Sequence, residues 1–156
     1  MRVVILYESR RGFTLSVARA IRDDLRTRGI PATAAAISTV DEGTLAAADA
    51  FIIGSWTAGK IVVGVGPAEG ALRAIEALPG LDRRPAAVFC TYDFAPKGTL
   101  STLASRLIGR GAVVEVGGAF RNGPLARIRA KSLRKVPAFV DEALSAFARA
   151  ATPAAG

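Results

Sequence analysis

Two patterns of apolar positions follow one another along the chain, continuous apolar runs and stretches with helical spacing. Residues 3–7 are apolar throughout, whereas Leu15, Ala18, Ile21 and Leu25 recur at the three- and four-residue intervals of a helix. Continuous runs of this kind are typical of strands buried on both faces. The whole chain read in this way predicts strands at residues 3–7, 32–40, 49–54, 85–91 and 112–120. It predicts a first helix that contains these four apolar positions and is ended by Gly29, and further helices at 67–78, 99–108 and 131–148.

The alternation of strands and helices predicts an α/β fold, a doubly wound, five-stranded parallel sheet with helices on both faces. We expect one domain over residues 1–149, followed by a flexible tail at 150–156. Ligands of such sheets bind beyond the carboxyl ends of the strands. The loops after the first, third and fourth predicted strands are therefore the candidate site.

Composition excludes several kinds of chemistry. The chain has no histidine and one cysteine, Cys90, which removes catalytic triads, His-ligated metals, internal disulfides and four-cysteine clusters. Cys90 lies within an apolar strand and is expected to be an unreactive core residue. No stretch of 18 uncharged residues exists, and the first apolar run is too short for a secretory signal, so we expect a cytoplasmic protein with no membrane span.

The charge balance is strongly basic, with 21 Lys and Arg against 13 Asp and Glu, a net charge of +8. Such a balance is found in nucleic-acid binders and in proteins that bind acidic partners. The densest basic stretch, residues 121–135, contains no aromatic side chain on which a base could stack, so nucleic acid is an unlikely partner. The stretch is either a solvated face or a surface on which an acidic redox partner binds.

The loop after the first strand has the composition of a phosphate site. It reads Ser9, Arg10, Arg11, Gly12, Phe13 and Thr14, and it leads directly into a helix. Hydroxyl side chains around a glycine at a helix N-terminus offer free N–H groups and the positive end of the helix dipole to an anion. The alternative is a plain turn in which Ser9 or Thr14 caps the helix.

Two further glycine motifs fail on their context. Residues 54–60 fit the first part of a P-loop, but Ile61 stands where that motif needs Ser or Thr. Residues 64–70 nearly match a dinucleotide fingerprint, but no acidic residue follows at the expected distance. Both matches are interpreted as accidental.

Taken together, the three loops resemble those of the flavodoxin family, over nearly the whole chain. Ser9, Gly12 and Thr14 match the S/T-x-T-G-N-T phosphate loop of that family, whereas Arg11 and Phe13 depart from it. Two further loops resemble the family's flavin-facing segments, one with Ser55, Trp56, Thr57, Ala58 and Gly59, the other with Thr91, Tyr92, Asp93 and Phe94. The resemblance implies FMN as cofactor, those fifteen residues as its binding site, and a strand order of 2-1-3-4-5.

Within that resemblance several roles stay open. Trp56 either forms a wall beside the flavin ring or is a half-buried packing residue. Asp93 either accepts a hydrogen bond from the ring or forms a turn. Arg10 and Arg11 are hypothesised to pair with the phosphate in place of the missing Thr and Asn, unless both lie in solvent and Phe13 blocks the site.

The function implied by the resemblance is electron transfer by an FMN protein that docks a redox partner protein. One alternative is an FMN-dependent oxidoreductase with a quinone- or porphyrinogen-like substrate on the same fold. The other is an interaction protein that has kept the fold without its cofactor.

Overall fold

The computed structural model describes residues 1–58 and 65–152. The strands are β1 (Val3–Glu8), β2 (Ala32–Ala36), β3 (Ala50–Ala58), β4 (Gly66–Pro67), β5 (Pro85–Tyr92) and β6 (Val113–Arg121). The helices are α1 (Phe13–Thr27), α2 (Glu42–Ala46), α3 (Glu69–Ala77), α4 (Thr99–Gly109), α5 (Ala126–Leu133) and α6 (Val136–Ala151).

The sheet has the predicted architecture. Its strands follow the order β2-β1-β3-β5-β6, and each neighbouring pair in that order is parallel. This order corresponds to the predicted 2-1-3-4-5, because the predicted fourth and fifth strands are β5 and β6. The short β4 was not predicted; it pairs antiparallel with the end of β3, Thr57 opposite Pro67 and Ala58 opposite Gly66.

The continuous apolar runs are explained by two separate cores, one on each face of the sheet. In β1 the side chains of Val3 and Ile5 pack with α1 and α6, whereas Val4 and Leu6 pack with α3 and α4. All four are essentially inaccessible to solvent. Because side chains alternate between the faces of a strand, burial on both faces requires apolar residues at every position.

Several element boundaries differ from the prediction. β3 continues from Gly54 to Ala58, so residues predicted as loop are strand. Helix α3 begins at Glu69 because Pro67 belongs to β4. The short helix α2 was not predicted, although Asp41 caps it by accepting a hydrogen bond from the Thr44 N–H at 2.8 Å.

The closing helix, predicted as one element, is two. Helix α5 ends at Leu133, and α6 starts at Val136 with Pro137 in its first turn, where a missing N–H costs no hydrogen bond. The buried Ser132 hydroxyl donates to the Arg121 carbonyl at 2.8 Å, which ties α5 to the end of β6. Helix α6 continues to Ala151, so the first residues of the predicted tail are helical, and residues 153–156 lie outside the described part.

The described residues include neither a membrane-spanning helix nor a cluster of metal ligands. No helix there is long and apolar enough to cross a membrane. Over those same residues, no group of three or more His, Cys, Asp or Glu side chains is placed to hold a metal ion.

Gly54 in β3 tests how closely the central strands are packed. A Cβ atom at this position would lie 2.0 Å from the Phe89 ring, whereas one at Gly109, near the end of α4, would meet nothing within 4 Å. We expect Gly54→Ala to lower the free energy of unfolding by about 1–3 kcal/mol, because a packed core resists added atoms. Gly109→Ala is the matched control, expected to be neutral or stabilising by up to about 1 kcal/mol.

Urea denaturation followed by circular dichroism measures both changes. Combining Gly54→Ala with Phe89→Leu should recover part of the lost unfolding free energy, since the smaller leucine leaves room for the added methyl group. Equal stability of the two single variants would contradict the packing assigned here.

Candidate functional site

A cavity of about 200 Å³, the first cavity, opens at the carboxyl edge of the sheet. It lies where β1, β3 and β5 end, and the segment after β6 completes it, as expected for parallel strands whose carboxyl ends share one edge. Its lining residues are Arg10, Arg11, Phe13, Thr14, Trp56, Thr57, Thr91, Tyr92, Asp93 and Asn122.

Nine of the predicted site residues are among these ten lining residues. Gly12 and Phe94 line a second, adjoining cavity instead. Ser9, Ser55 and Ala58 line neither of the two, and Gly59 lies outside the described residues. The three loops therefore do meet at one place in the fold.

The turn between β1 and α1 combines a cap with free backbone donors. The Ser9 hydroxyl oxygen accepts hydrogen bonds from the N–H groups of Gly12 and Leu15, at 3.2 and 3.3 Å. Gly12 has φ of 95°, a left-handed conformation that favours glycine. Across the described residues the N–H groups of Phe13 and Thr14 have no hydrogen-bond acceptor, so they remain available to an anion at the positive end of α1.

The two arginines of this turn occupy different places. The Arg10 guanidinium lies 5.2 Å from the centre of the Trp56 ring, in cation–π contact with it. Arg11 is exposed and lines both cavities. Neither makes an ion pair within the described part of the chain, so both positive charges are available at the mouth of the first cavity.

Several predicted cofactor contacts are hydroxyl groups that hold the floor of the site together. Buried Thr14 and Thr91 share a hydrogen bond of 2.7 Å that joins α1 to β5. The Ser55 hydroxyl donates to the Trp56 carbonyl at 2.8 Å and accepts from the Ala68 N–H at 3.0 Å. These internal bonds give all three residues a structural role.

The loop after β5 is fixed by a residue that the sequence analysis missed. Asn122 donates from its backbone to the Tyr92 carbonyl at 2.7 Å, and from its side-chain amide to the Asp93 carboxylate at 3.1 Å. Asn122 follows β6, whereas the predicted site residues all come from the loops after three earlier strands. Because the carboxyl ends of all the parallel strands lie at one edge of the sheet, the loop after the last strand is a candidate part of the site as well.

Aromatic side chains differ in how far they are covered. Trp56 and Tyr92 are half-buried in the first cavity, whereas Phe94 is 77% exposed. Phe13 is buried and belongs to the core between the sheet and helices α1 and α6. Phe13 also lines the first cavity.

Cys90 is a core residue, as expected. It is fully buried in β5, and burial raises the pKa of its thiol to about 12, opposed by a hydrogen bond with the Thr57 side chain. The group is therefore a neutral thiol at physiological pH and no nucleophile.

The two motifs interpreted as accidental adopt no phosphate-binding shape where they are described. Residues 54–58 are extended in β3, whereas a P-loop wraps around a phosphate. Gly66 and Pro67 form β4 and precede the helix. Gly59, Lys60 and Gly64 lie outside the described residues.

Known structures share this fold over nine-tenths or more of the chain. Flavodoxin 2 from Bacillus cereus superposes with a TM-score of 0.72 at 23% identity, covering 93% of this chain and 99% of that one. A flavodoxin from the domain Archaea gives 0.69 at 15% identity, covering 92% and 99%. The chain has the flavodoxin fold. The resemblance that the sequence carries is thus confirmed at the level of the fold.

The same fold occurs within larger proteins. Rubredoxin oxygen:oxidoreductase from Desulfovibrio gigas matches with a TM-score of 0.69 at 18% identity, over 94% of this chain and only 37% of that protein. No family model and no curated protein matches the sequence. The fold is therefore recognised from the backbone, whereas its function rests on the residues at the site.

The Thr14–Thr91 pair provides a test of the floor of the site. Thr91→Val removes one hydroxyl and leaves the other buried without its partner, so we expect a loss of about 1–3 kcal/mol in the free energy of unfolding. The double variant Thr14→Val/Thr91→Val should be more stable than the single one, because no buried hydroxyl is then unpaired. Chemical denaturation of the four proteins in this cycle measures the coupling; strictly additive losses would contradict a direct hydrogen bond.

Proposed function

We propose that this protein binds FMN in the first cavity and carries electrons to or from a partner protein. One observation carries the proposal. On a flavodoxin fold, one cavity is lined by the start of α1, whose first N–H groups have no acceptor among the described residues, by two arginines that form no ion pair there, and by two half-buried aromatic rings. Phosphate and flat ring are the two parts of FMN that need these two kinds of surface.

The phosphate end of the site is the turn before α1. The N–H groups of Phe13 and Thr14 have no acceptor among the described residues and lie at the positive end of the helix dipole. Arg10 and Arg11 flank them and supply two positive charges, which offset the missing Thr and Asn contacts. We assign the phosphate to these four residues.

The ring end of the site lies between β3 and β5. Trp56 and Tyr92 offer apolar faces that would exclude water, and Asp93 offers an acceptor already oriented by Asn122. Bound flavin supplies the capacity to take up and release electrons one or two at a time. The chain itself contributes position, polarity and charge.

The residues fit FMN once one side chain moves. The first cavity holds about 200 Å³. Ligand pockets of this kind measure roughly 300–1,000 Å³, so the cavity is too small as it stands. Arg10 accounts for the difference in part, because its guanidinium covers Trp56. The Arg10 side chain is exposed and forms no ion pair within the described residues, and giving up its contact with the half-buried Trp56 ring costs about 1 kcal/mol.

Electron exchange with a protein is supported by the surface next to the site. The basic surface formed by α5 and the turn that follows it, with Arg127, Lys131, Arg134 and Lys135, is exposed, and no ion pair involving it occurs within the described residues. Unneutralised charge of one sign attracts a partner of the other and speeds association at low salt. We infer an acidic redox partner.

The decisive experiment compares FMN with riboflavin, which lacks the phosphate. Flavin fluorescence quenching on titration with protein gives both dissociation constants. We expect the double variant Arg10→Ala/Arg11→Ala to weaken FMN binding by about tenfold or more, since charged hydrogen bonds to the phosphate are lost. Riboflavin binding should change little or tighten, because Trp56 is uncovered.

The matched control is Arg19→Ala/Arg73→Ala, which removes the same charge from helices α1 and α3 outside both cavities. It should leave the ratio of the two constants unchanged. Equal losses for FMN and riboflavin would refute the phosphate assignment. Absence of binding by the unaltered protein would refute the cofactor itself.

A further inference from the structure

A second cavity adjoins the first on the side of β6 and α5. Its volume is about 980 Å³, and it shares Arg11, Phe13, Asp93 and Asn122 with the first cavity. The residues that belong to it alone come from α1, from the loop after β5, and from the segment that leads from β6 into α5: Gly12, Ser16, Phe94, Arg121, Gly123, Pro124, Arg129 and Leu133. Neither the phosphate nor the ring of FMN is assigned to these residues.

Positive charge dominates this second cavity. Three arginines, Arg11, Arg121 and Arg129, line it together with a single carboxylate, Asp93, which already accepts a hydrogen bond from Asn122. Within the described residues, the side chains of Arg11 and Arg121 have no hydrogen-bond or ion-pair partner. Two unneutralised guanidinium groups in a concave site favour an anionic ligand.

Apart from Ser16, Asn122 and two glycines, the uncharged lining is apolar. Phe13 and Leu133 lie at the side of α1 and α5, and Pro124 and Phe94 lie toward the solvent. Phe94 is 77% exposed, an aromatic ring that gains from being covered. A ligand with an apolar body would bury these surfaces, as in ligand pockets generally.

The wall formed by residues 121–124 is held in shape before any ligand arrives. The Ser132 hydroxyl donates to the Arg121 carbonyl at 2.8 Å, and Arg129 donates to the Gly123 carbonyl at 2.6 Å. Gly123 packs so closely on α5 that a Cβ atom would lie 2.6 Å from the Ile128 side chain. A preformed wall lowers the entropic cost of binding.

We propose that the second cavity binds a small organic anion, an apolar ring system carrying a carboxylate, with Arg121 contacting the carboxylate. The volume of the cavity lies within the range of small-molecule sites, roughly 300–1,000 Å³. A ligand held there contacts the residues that separate the two cavities, so it lies beside whatever fills the first. The proposal stands on these residues alone and does not require FMN.

The test uses the full chain and two probes of nearly equal shape. Naphthalene-1-carboxylate carries the proposed charge, and naphthalene-1-carboxamide is its neutral counterpart. Titration followed by probe fluorescence should show the carboxylate binding about tenfold or more tightly than the amide, the difference expected of charge-assisted hydrogen bonds. Equal affinity of the two probes would overturn the proposal.

Variants locate the binding on the molecule. Arg121→Gln should weaken the carboxylate by about tenfold while leaving the amide unchanged. Arg19→Gln on α1 outside both cavities removes the same charge and should have no effect. If Arg121→Gln does not fold, Arg121→Met, which keeps an aliphatic side chain and removes the charge, serves in its place. An equal loss in Arg19→Gln would overturn the proposal in favour of a general effect of net charge.

Competition separates this proposal from the proposed function. Saturating FMN should leave the carboxylate bound, with an affinity within a few-fold of that in its absence. Complete displacement by FMN would show that the probe reports the first cavity, and it would overturn the second site while supporting FMN binding. Carboxylate binding by a chain that takes up no FMN would support the second site and refute the cofactor.

Discussion

Parallel pairing of β1 between β2 and β3 is the constraint on which the rest of this structure depends. Because every strand of the main sheet runs in the same direction, each connection must cross a face, and helices cover both sides. The same geometry brings the carboxyl ends of β1, β3, β5 and β6 to one edge. Side chains distant in the sequence, such as Arg10, Trp56 and Asn122, line one cavity for that reason.

Positive charge at this edge distinguishes the chain's chemistry. The turn before α1 presents a helix dipole together with Arg10 and Arg11, and Arg121 and Arg129 follow on the other side. Charges of one sign so close together repel, and among the described lining residues Asp93, which is hydrogen-bonded to Asn122, carries the one carboxylate that opposes them. An anion would relieve that repulsion, which is why both proposals involve anionic ligands.

Sequence patterns predicted the strands and helices whose positions depend on burial. They did not predict the elements and breaks that depend on local contacts. Strand β1 and helix α1 were predictable because both cores demand apolar side chains at fixed intervals. The antiparallel β4 was not, since two residues carry no periodicity. The break before α6 depends on the Ser132 bond to Arg121 and on Pro137, contacts that a helical pattern over residues 131–148 does not reveal. At the site, residue types predicted the cavity's lining, but the contact of Arg10 with Trp56 and the internal bonds of Ser55 depend on three-dimensional packing.

The burial of Cys90 also makes the opening of the molecule measurable as a rate of thiol labelling. It is the chain's one cysteine, it is buried in β5, an inner strand between β3 and β6, and its thiol is neutral. Reagents that modify thiols can reach it only when β5 separates from its covering helices. The rate of labelling therefore measures how often β5 becomes exposed to solvent, without any engineered probe. A ligand that binds only the closed molecule should lower the rate of Cys90 labelling, in proportion to the fraction of molecules that have the ligand bound.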